Sequence, residues 1–462
     1  MSFSDLRFIF YVLPVFVLLH TLAPAKFRNA LLFLASLGIY AFGAGPVPAA
    51  ILFGTTLVNY LLALWLARAG TAGRKAILAF SLLLDFGALF YFKYFPKLFQ
   101  ALSFFFSGAL TLPQIALPLG VSFYLFQLTS YLIDVSRGTI DPERSFIDFG
   151  AYIFAFPQLT MGPILRYGNL REALKSRKPR RVDIEQGFQL FAIGLSFKVL
   201  IADQLSYLWV VLERIGFRYI STPLAWLGAV GYSLQLYFDF HGYSLMATGL
   251  GEMLALPIPR NFDEPYLSRT VSEFYRRWHI TLGAWFRDYL YIPLGGNRHG
   301  TARTLLSLAI VWLFTGLWHG STLNFLIWGE FLFFFIALER IFLRRAFQKL
   351  RVLPHLYLLF VIVQSWVIFR ITDLTELLAY FSRLFPFFGE APSINQGDFI
   401  KYFSSYWWLF AIGIGLCLPW PRRCYERFRG NILVWIPLFS VFWLSVYFLA
   451  TGSGNAFLYF RF

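Results

Sequence analysis

Ile432 to Ala450 reads ILVWIPLFSVFWLSVYFLA, nineteen residues in a row without one charged side chain. The hydrocarbon core of a bilayer is about 30 Å thick and takes roughly 17–25 apolar residues in helical form. Backbone N–H and C=O groups find no partners in lipid, so such a run adopts the helix, which satisfies its own. Working outward, the basic block Arg422–Arg429 precedes this run, and another apolar run, 404–420, precedes the block. The alternation continues to the N-terminus. Spans are expected at 8–23, 29–44, 48–67, 76–92, 113–133, 223–239, 303–317, 321–338, 354–370, 404–420 and 432–450, with less regular apolar material at 97–111, 147–164, 185–212 and 240–258. The expected fold is all-α: a polytopic membrane protein of about 11–13 transmembrane helices with re-entrant and interfacial amphipathic helices. One integral membrane domain over 1–462 is expected, with no internal repeat and no low-complexity linker.

Composition supports this reading. Phe alone fills 56 of 462 positions and charged residues make up 14%, against roughly 25% in soluble domains. Mean hydropathy is +0.61. A water-soluble enzyme, a disordered chain, a disulfide scaffold and a fibrous repeat are excluded. The 40 Lys and Arg outnumber the 24 Asp and Glu, for a net charge of +16. These cations sit between apolar runs, where the positive-inside rule accounts for them. No nucleic-acid motif accompanies them, so no nucleic-acid partner is expected. Cys417 and Cys424 have no metal-site spacing, and no metal is expected. The 8–23 run followed by Ala23-Pro24-Ala25 imitates a signal peptide. Its flank carries one Arg offset by one Asp, and a second run begins at Ala30, so a retained span is expected. Placing Lys26/Arg28, Arg68/Arg74/Lys75, Arg166–Arg181, Arg340–Arg351 and Arg422–Arg429 in the cytoplasm leaves both termini outside. The 147–164 run then enters and leaves on one side. Its Gly150, Pro157 and Gly162-Pro163 suit a re-entrant or broken helix facing protein or water.

Asn261 to Gly300, NFDEPYLSRTVSEFYRRWHITLGAWFRDYLYIPLGGNRHG, is a polar island in this chain. Thr270 with Glu273 is a capping-box pattern for a helix starting near Val271. Phe274, Trp278, Thr281 and Trp285 then share one stripe, and Glu273, Arg276 and Arg277 another. An interfacial amphipathic helix with its basic side toward headgroups is the plain reading. His279 falls in the middle of that helix, either as a buried hydrogen-bonded residue or as a neutral acceptor kept so by Arg276, Arg277 and Arg287. Thr315-Gly316-Leu317-Trp318-His319-Gly320-Ser321 breaks two candidate spans. Ionisable residues at membrane depth usually face a cavity, and Gly316 and Gly320 allow close approach of a ligand or another helix. His319 is either a turn residue or a catalytic base in a water-accessible chamber. Two further polar sets, Ser122, Tyr124, Gln127, Ser130, Tyr131 and Asp134, and Ser233, Gln235, Tyr237, Asp239, His241, Tyr243 and Ser244, suit either helix packing or function. Asp239, a carboxylate in apolar surroundings, needs a partner; His241, Arg276 or Arg277 could supply it.

SEFYRRWHITLGAWFRDYLYIPLGGNR, TGLWHG, FPQLTMGPILRY, PLGVSFYLFQLTSYLIDVSRG and YSLQLYFDFHGYSLMATGLG together resemble the membrane-bound O-acyltransferase (MBOAT) superfamily, in its bacterial branch of alginate O-acetylation and teichoic-acid D-alanyl transfer proteins. The resemblance runs from about Pro118 to Trp328, the motif core. It implies the MBOAT fold, with helices around a central passage, in a bacterial inner membrane with periplasmic termini. It also implies transfer of an acyl group, foremost acetyl, from a cytoplasmic thioester donor toward an exported polysaccharide or a periplasmic partner protein. The donor would be acetyl-coenzyme A or an acyl-carrier protein, a substrate; no bound cofactor is implied. The family's invariant histidine maps onto His319 and its helix-borne histidine onto His279. Trp278, Trp318, Arg276, Arg277, Asp239, Tyr237, Gln127, Gln158 and Asn324 are expected to line the donor and acceptor passage. His241-Gly242-Tyr243-Ser244-Leu245 departs from the alginate pattern toward the D-alanyl one, whereas YIPLGGNR follows the alginate branch, and Tyr275 replaces the usual Trp.

Acyl transfer from a thioester to a hydroxyl needs the hydroxyl deprotonated as it attacks, and imidazole has a suitable pKa. The developing oxyanion needs donors, for which the Trp318 N–H, Asn324 or backbone amides near Gly316 are candidates. A narrow passage would exclude water. D-alanyl transfer from a carrier protein is the alternative of the same chemistry. A transporter with a midplane polar site is the alternative of another class, though no two-half symmetry is evident, and a scaffold for an export complex would leave both histidines dispensable.

Overall fold

The computed structural model describes residues 2–105, 117–388, 397–452 and 457–458. The expected runs at 97–111 and 113–133 therefore lie partly outside the described residues. Among the described residues the regular structure is helical, and the sole extended pairing is an isolated antiparallel bridge between Phe262 and Trp278. The chain is an all-α polytopic membrane protein. Ala25–Ala44, Pro46–Arg68, Thr71–Lys93, Arg181–Ile215, Gly300–His319, Leu353–Arg370 and Ile432–Ala450 are each long and apolar enough to cross a membrane. Asp398–Leu416 and Pro419–Phe428, bent by 64°, form an eighth span if taken together. Several other expected spans are shorter helices, such as Val121–Arg137 with 17 residues and Leu323–Leu338 with 16. Thr222–Met253 runs to 32 residues but carries Gln235, Asp239 and His241 within its length.

Two compact units are present: Met1–Phe191 with Ser244–Arg260, and Ala192–Tyr243 with Asn261–Phe462. In the first, Val121–Arg137 packs on Pro46–Arg68 and Thr71–Lys93. The buried Asp85 carboxylate ties the three together, accepting from Asn59 Nδ2 at 2.9 Å and Thr129 Oγ1 at 3.3 Å. The expected break at 147–164 is a nine-residue helix, Phe146–Phe154, followed by buried turns. Side chains take up the freed polar groups: Tyr152 Oη donates to the Leu165 carbonyl at 2.8 Å, and Gln158 Nε2 to the Tyr152 carbonyl at 2.7 Å. Irregular backbone in a membrane protein needs such internal partners.

In the second unit, Gly300–His319 and Leu323–Leu338 form a tight antiparallel hairpin. Its closeness depends on two glycines. A Cβ on Gly316 would stand 2.4 Å from the Phe325 carbonyl oxygen, and one on Gly329 would stand 2.5 Å from that of Trp312. Small residues let membrane helices approach at the backbone, so Gly316 serves a helix contact. Leu353–Arg370 packs on Leu323–Leu338 and is pinned by Asn324 Nδ2, which donates to the Ile368 carbonyl at 3.1 Å and the Phe369 carbonyl at 3.0 Å. The end of Gly300–His319 is thereby fixed against two neighbouring helices.

Candidate active site

The local sequence around His279 does not make the continuous helix its periodicity suggests. Thr270 Oγ1 accepts from Glu273 N at 3.0 Å and starts the Val271–Arg277 helix as expected, while Glu273 Oε2 accepts from Arg269 N at 3.0 Å. The helix then stops. Trp278 is extended, His279 adopts φ 47° and ψ 53°, and a new helix, Ile280–Phe286, begins. The break is made by residues 261–263, which run alongside. Asp263 N donates to the Arg277 carbonyl at 2.9 Å and Ile280 N to the Asn261 carbonyl at 3.0 Å. The stripe Phe274, Trp278, Thr281, Trp285 is thus split between two short helices. The physical reason is tertiary pairing, which periodicity does not register.

A cavity of about 870 Å³ lies in the second unit, and both His279 and His319 line it. His319 is the last residue of Gly300–His319, with Trp328 and Phe369 packed edge-on to its ring at centroid distances of 4.9 and 5.3 Å. The Trp318 ring lies 6.1 Å from the His279 ring and 4.9 Å from that of His319. Tyr275, Trp278, Trp312, Trp328 and Trp366 give the cavity aromatic walls. Its charged lining is four arginines, Arg269, Arg276, Arg287 and Arg340, against two glutamates, Glu273 and Glu339. Glu339 is buried and accepts from Val271 N at 2.5 Å. Burial pushes its carboxyl up to about 7, against the lowering effect of that hydrogen bond. Burial likewise pushes the His279 imidazole down to about 3, which keeps the ring neutral at physiological pH.

Of the residues expected at the site, His319, His279, Trp278 and Arg276 share this lining. Trp318 packs beside both histidine rings without entering the lining, and the remaining expected residues have other surroundings. Arg277 pairs with Glu273 at 2.8 Å. Tyr237 is buried in an aromatic cluster with Phe262, Tyr266 and Trp278. Asn324 is buried and spends both amide hydrogens on the Ile368 and Phe369 carbonyls, which removes it as an oxyanion donor. Among the described residues the ion-pair partner of Asp239 is neither His241 nor an arginine: Lys198 Nζ lies 2.8 Å from its Oδ1 and 2.6 Å from Asp203 Oδ1, and Leu458 N donates to Asp239 Oδ2 at 2.9 Å. This buried ion triad belongs to the packing of the second unit. Gln127 and Gln158 belong to the first unit, both buried. Sequence reasoning missed Trp312, Trp328, Trp366 and Glu339, whose apolar surroundings look like any lipid-facing helix. It also missed Asn261, whose role depends on a contact 18 residues away.

Fold and site together define an integral membrane protein with two histidines in one aromatic, cation-lined chamber. Comparison with known proteins names the class. The family model for membrane-bound O-acyltransferases matches residues 140–381. The chain is 38% identical to a probable alginate O-acetylase of Pseudomonas putida over 395 residues, 84% of this chain and 81% of that protein. It is 29% identical to a peptidoglycan O-acetyltransferase of Helicobacter pylori over 100% of this chain and 97% of that one. A teichoic acid D-alanyltransferase of Bacillus subtilis is 26% identical over 46% of this chain and 56% of its own length. The chain belongs to the membrane-bound O-acyltransferase family and is an O-acyltransferase.

Proposed function

We propose that this enzyme moves an acetyl group from a cytoplasmic thioester, of coenzyme A or an acyl-carrier protein, to a hydroxyl of an exported polysaccharide or of a periplasmic partner protein. The single observation that carries the reading is that His279 and His319 line one cavity with an excess of arginine. Such a lining suits a phosphate-bearing thioester donor. In the proposed step His319 takes the proton from the acceptor hydroxyl as its oxygen attacks the thioester carbonyl carbon. The C–O bond forms, the C–S bond breaks, and the imidazolium returns its proton to the departing thiolate. Neutral His279 supports the donor or the acceptor by hydrogen bonding. Aromatic walls keep water from competing with the hydroxyl. The enzyme would sit in the bacterial inner membrane with periplasmic termini, as the basic loops favour, and act with polysaccharide-export or periplasmic acyltransferase partners. The alginate and peptidoglycan relatives, similar over most of the chain, favour acetyl. Purified protein offered acetyl and D-alanyl thioesters in parallel tests this: acetyl turnover is expected, and exclusive use of the D-alanyl donor would replace the acetyl assignment.

A further inference from the structure

His279 is one of three non-glycine residues at positive φ among the described residues, and the one of them that lines the cavity. The left-handed conformation costs an L-residue roughly 1–2 kcal/mol, and such outliers persist where surrounding structure over-determines them. Here the surrounding structure is Asn261. Its Oδ1 accepts from the Thr281 backbone N–H at 3.1 Å and from Thr281 Oγ1 at 2.9 Å, and stands 3.3 Å from His279 Nδ1. Because a backbone N–H can only donate, the Asn261 atom at the centre of these contacts is the oxygen. An amide oxygen can only accept, so the imidazole nitrogen facing it carries the hydrogen. In the neutral ring the lone pair then resides on Nε2. Asn261, His279 and Thr281 are all buried, so this choice of tautomer is made away from bulk water.

We propose that Asn261 is a positioning residue for His279. Its side-chain oxygen fixes the imidazole as the Nδ1–H tautomer and holds the strained residue at the junction of the two short helices, leaving Nε2 as the basic nitrogen. The inference rests on the reading that His279 takes part in transfer. The ring packs edge-on against Phe240 at 4.7 Å and near Trp318 at 6.1 Å, neither of them charged. Other titratable or charged groups facing the region are His319, Glu273, Arg276, Arg287, Glu339, Arg340 and Arg269 of the cavity lining, with His241 and the ion-paired Asp239 on the Thr222–Met253 helix.

The test compares wild type with Asn261→Ala, Asn261→Asp, Thr281→Val and His279→Ala, purified in detergent. The donor is the acetyl thioester, of coenzyme A or of carrier protein, that the wild type turns over. Asn261→Ala is expected to lower kcat about 100-fold with donor KM within about twofold, the scale of a lost acid–base alignment. Thr281→Val, which removes a contact to Asn261 but not the Asn–His pair, should stay near wild type. Asn261→Asp keeps the oxygen and adds a charge beside Nδ1, which favours imidazolium. Its alkaline activity should recover to within about tenfold of wild type, with the acidic limb of the pH profile moved upward. Asn261→Ala active within about twofold of wild type, or an unmoved limb in Asn261→Asp, overturns the proposal when His279→Ala is inactive. A fully active His279→Ala instead defeats the reading on which it rests. If Asn261→Ala does not purify as a monodisperse protein, the Asn261→Asp profile alone decides.

Discussion

Lys198→Met puts the buried ion triad to a severe test. Lys198 Nζ stands 2.6 Å from Asp203 and 2.8 Å from Asp239, with side-chain exposures of 2%, 2% and 1%. At an effective dielectric of about 20, each contact is worth roughly 6 kcal/mol of gross attraction. Desolvation of the three ions takes back most of it, several kcal/mol per ion. Removing the lysine takes away both contacts and sets two buried carboxylates against each other. Breaking one buried pair costs about 3–5 kcal/mol, so a loss of at least about 3 kcal/mol is expected. Asp239→Asn keeps the Lys198–Asp203 pair and can still accept from Leu458 N, so about 1–2 kcal/mol is expected there. The triple variant Lys198→Met, Asp203→Asn, Asp239→Asn removes all three of these charges and should regain most of the loss. Urea unfolding in a fixed detergent at pH 8, followed by tryptophan fluorescence, reads all three. Lys198→Met within about 1 kcal/mol of wild type, or a triple variant no better than Lys198→Met, would show that these ion pairs do not stabilise the fold.

Other substitutions address the site. Gly316→Val should open the hairpin, since a Cβ there already falls 2.4 Å from a backbone oxygen; a stability loss of about 2–3 kcal/mol with at least tenfold lower turnover is expected, and unchanged unfolding would contradict it. Arg276→Glu reverses a cavity charge and should raise donor KM at least tenfold while kcat stays within about threefold, read from steady-state kinetics. Because His279 is held down to about 3 from an ordinary 6.5, the unfolded chain takes up a proton that the folded one refuses. Its contribution is intact above pH 6.5 and is lost as pH falls toward 3, at up to about 1.4 kcal/mol per pH unit. His279→Gln should flatten the stability curve between pH 6.5 and 5, and an unchanged slope would show that His279 is not the group responsible.

Hydropathy made the helical membrane architecture legible, and the capping pair at Thr270 and Glu273 marked a true helix start. The motifs around His279 and His319 single out two residues that line one cavity. What stayed hidden depended on long-range pairing. The break at Trp278–His279 comes from residues 261–263 running alongside, and no 3.6-residue pattern contains that information. The partner of Asp239 was missed because Lys198 lies 41 residues away inside an apolar helix, where a cation looks like a defect until the fold brings it to two carboxylates. Asn324, chosen as an amide near the histidine motif, turned out to tie two helices together. Gln127 stands in a polar set within an apolar run and Gln158 in the FPQLTMGPILRY motif, and buried polar side chains of this kind serve packing as well as function.

In the proposed function His319 drives the acyl transfer. The most direct measurement is single-turnover transfer of labelled acetyl from thioester to acceptor hydroxyl by purified His319→Ala and wild type at equal concentrations. The expected result is discharge by the wild type and a rate at least about 100-fold lower for His319→Ala, with both proteins equally folded. Equal rates from the two proteins would rule out His319 as the base.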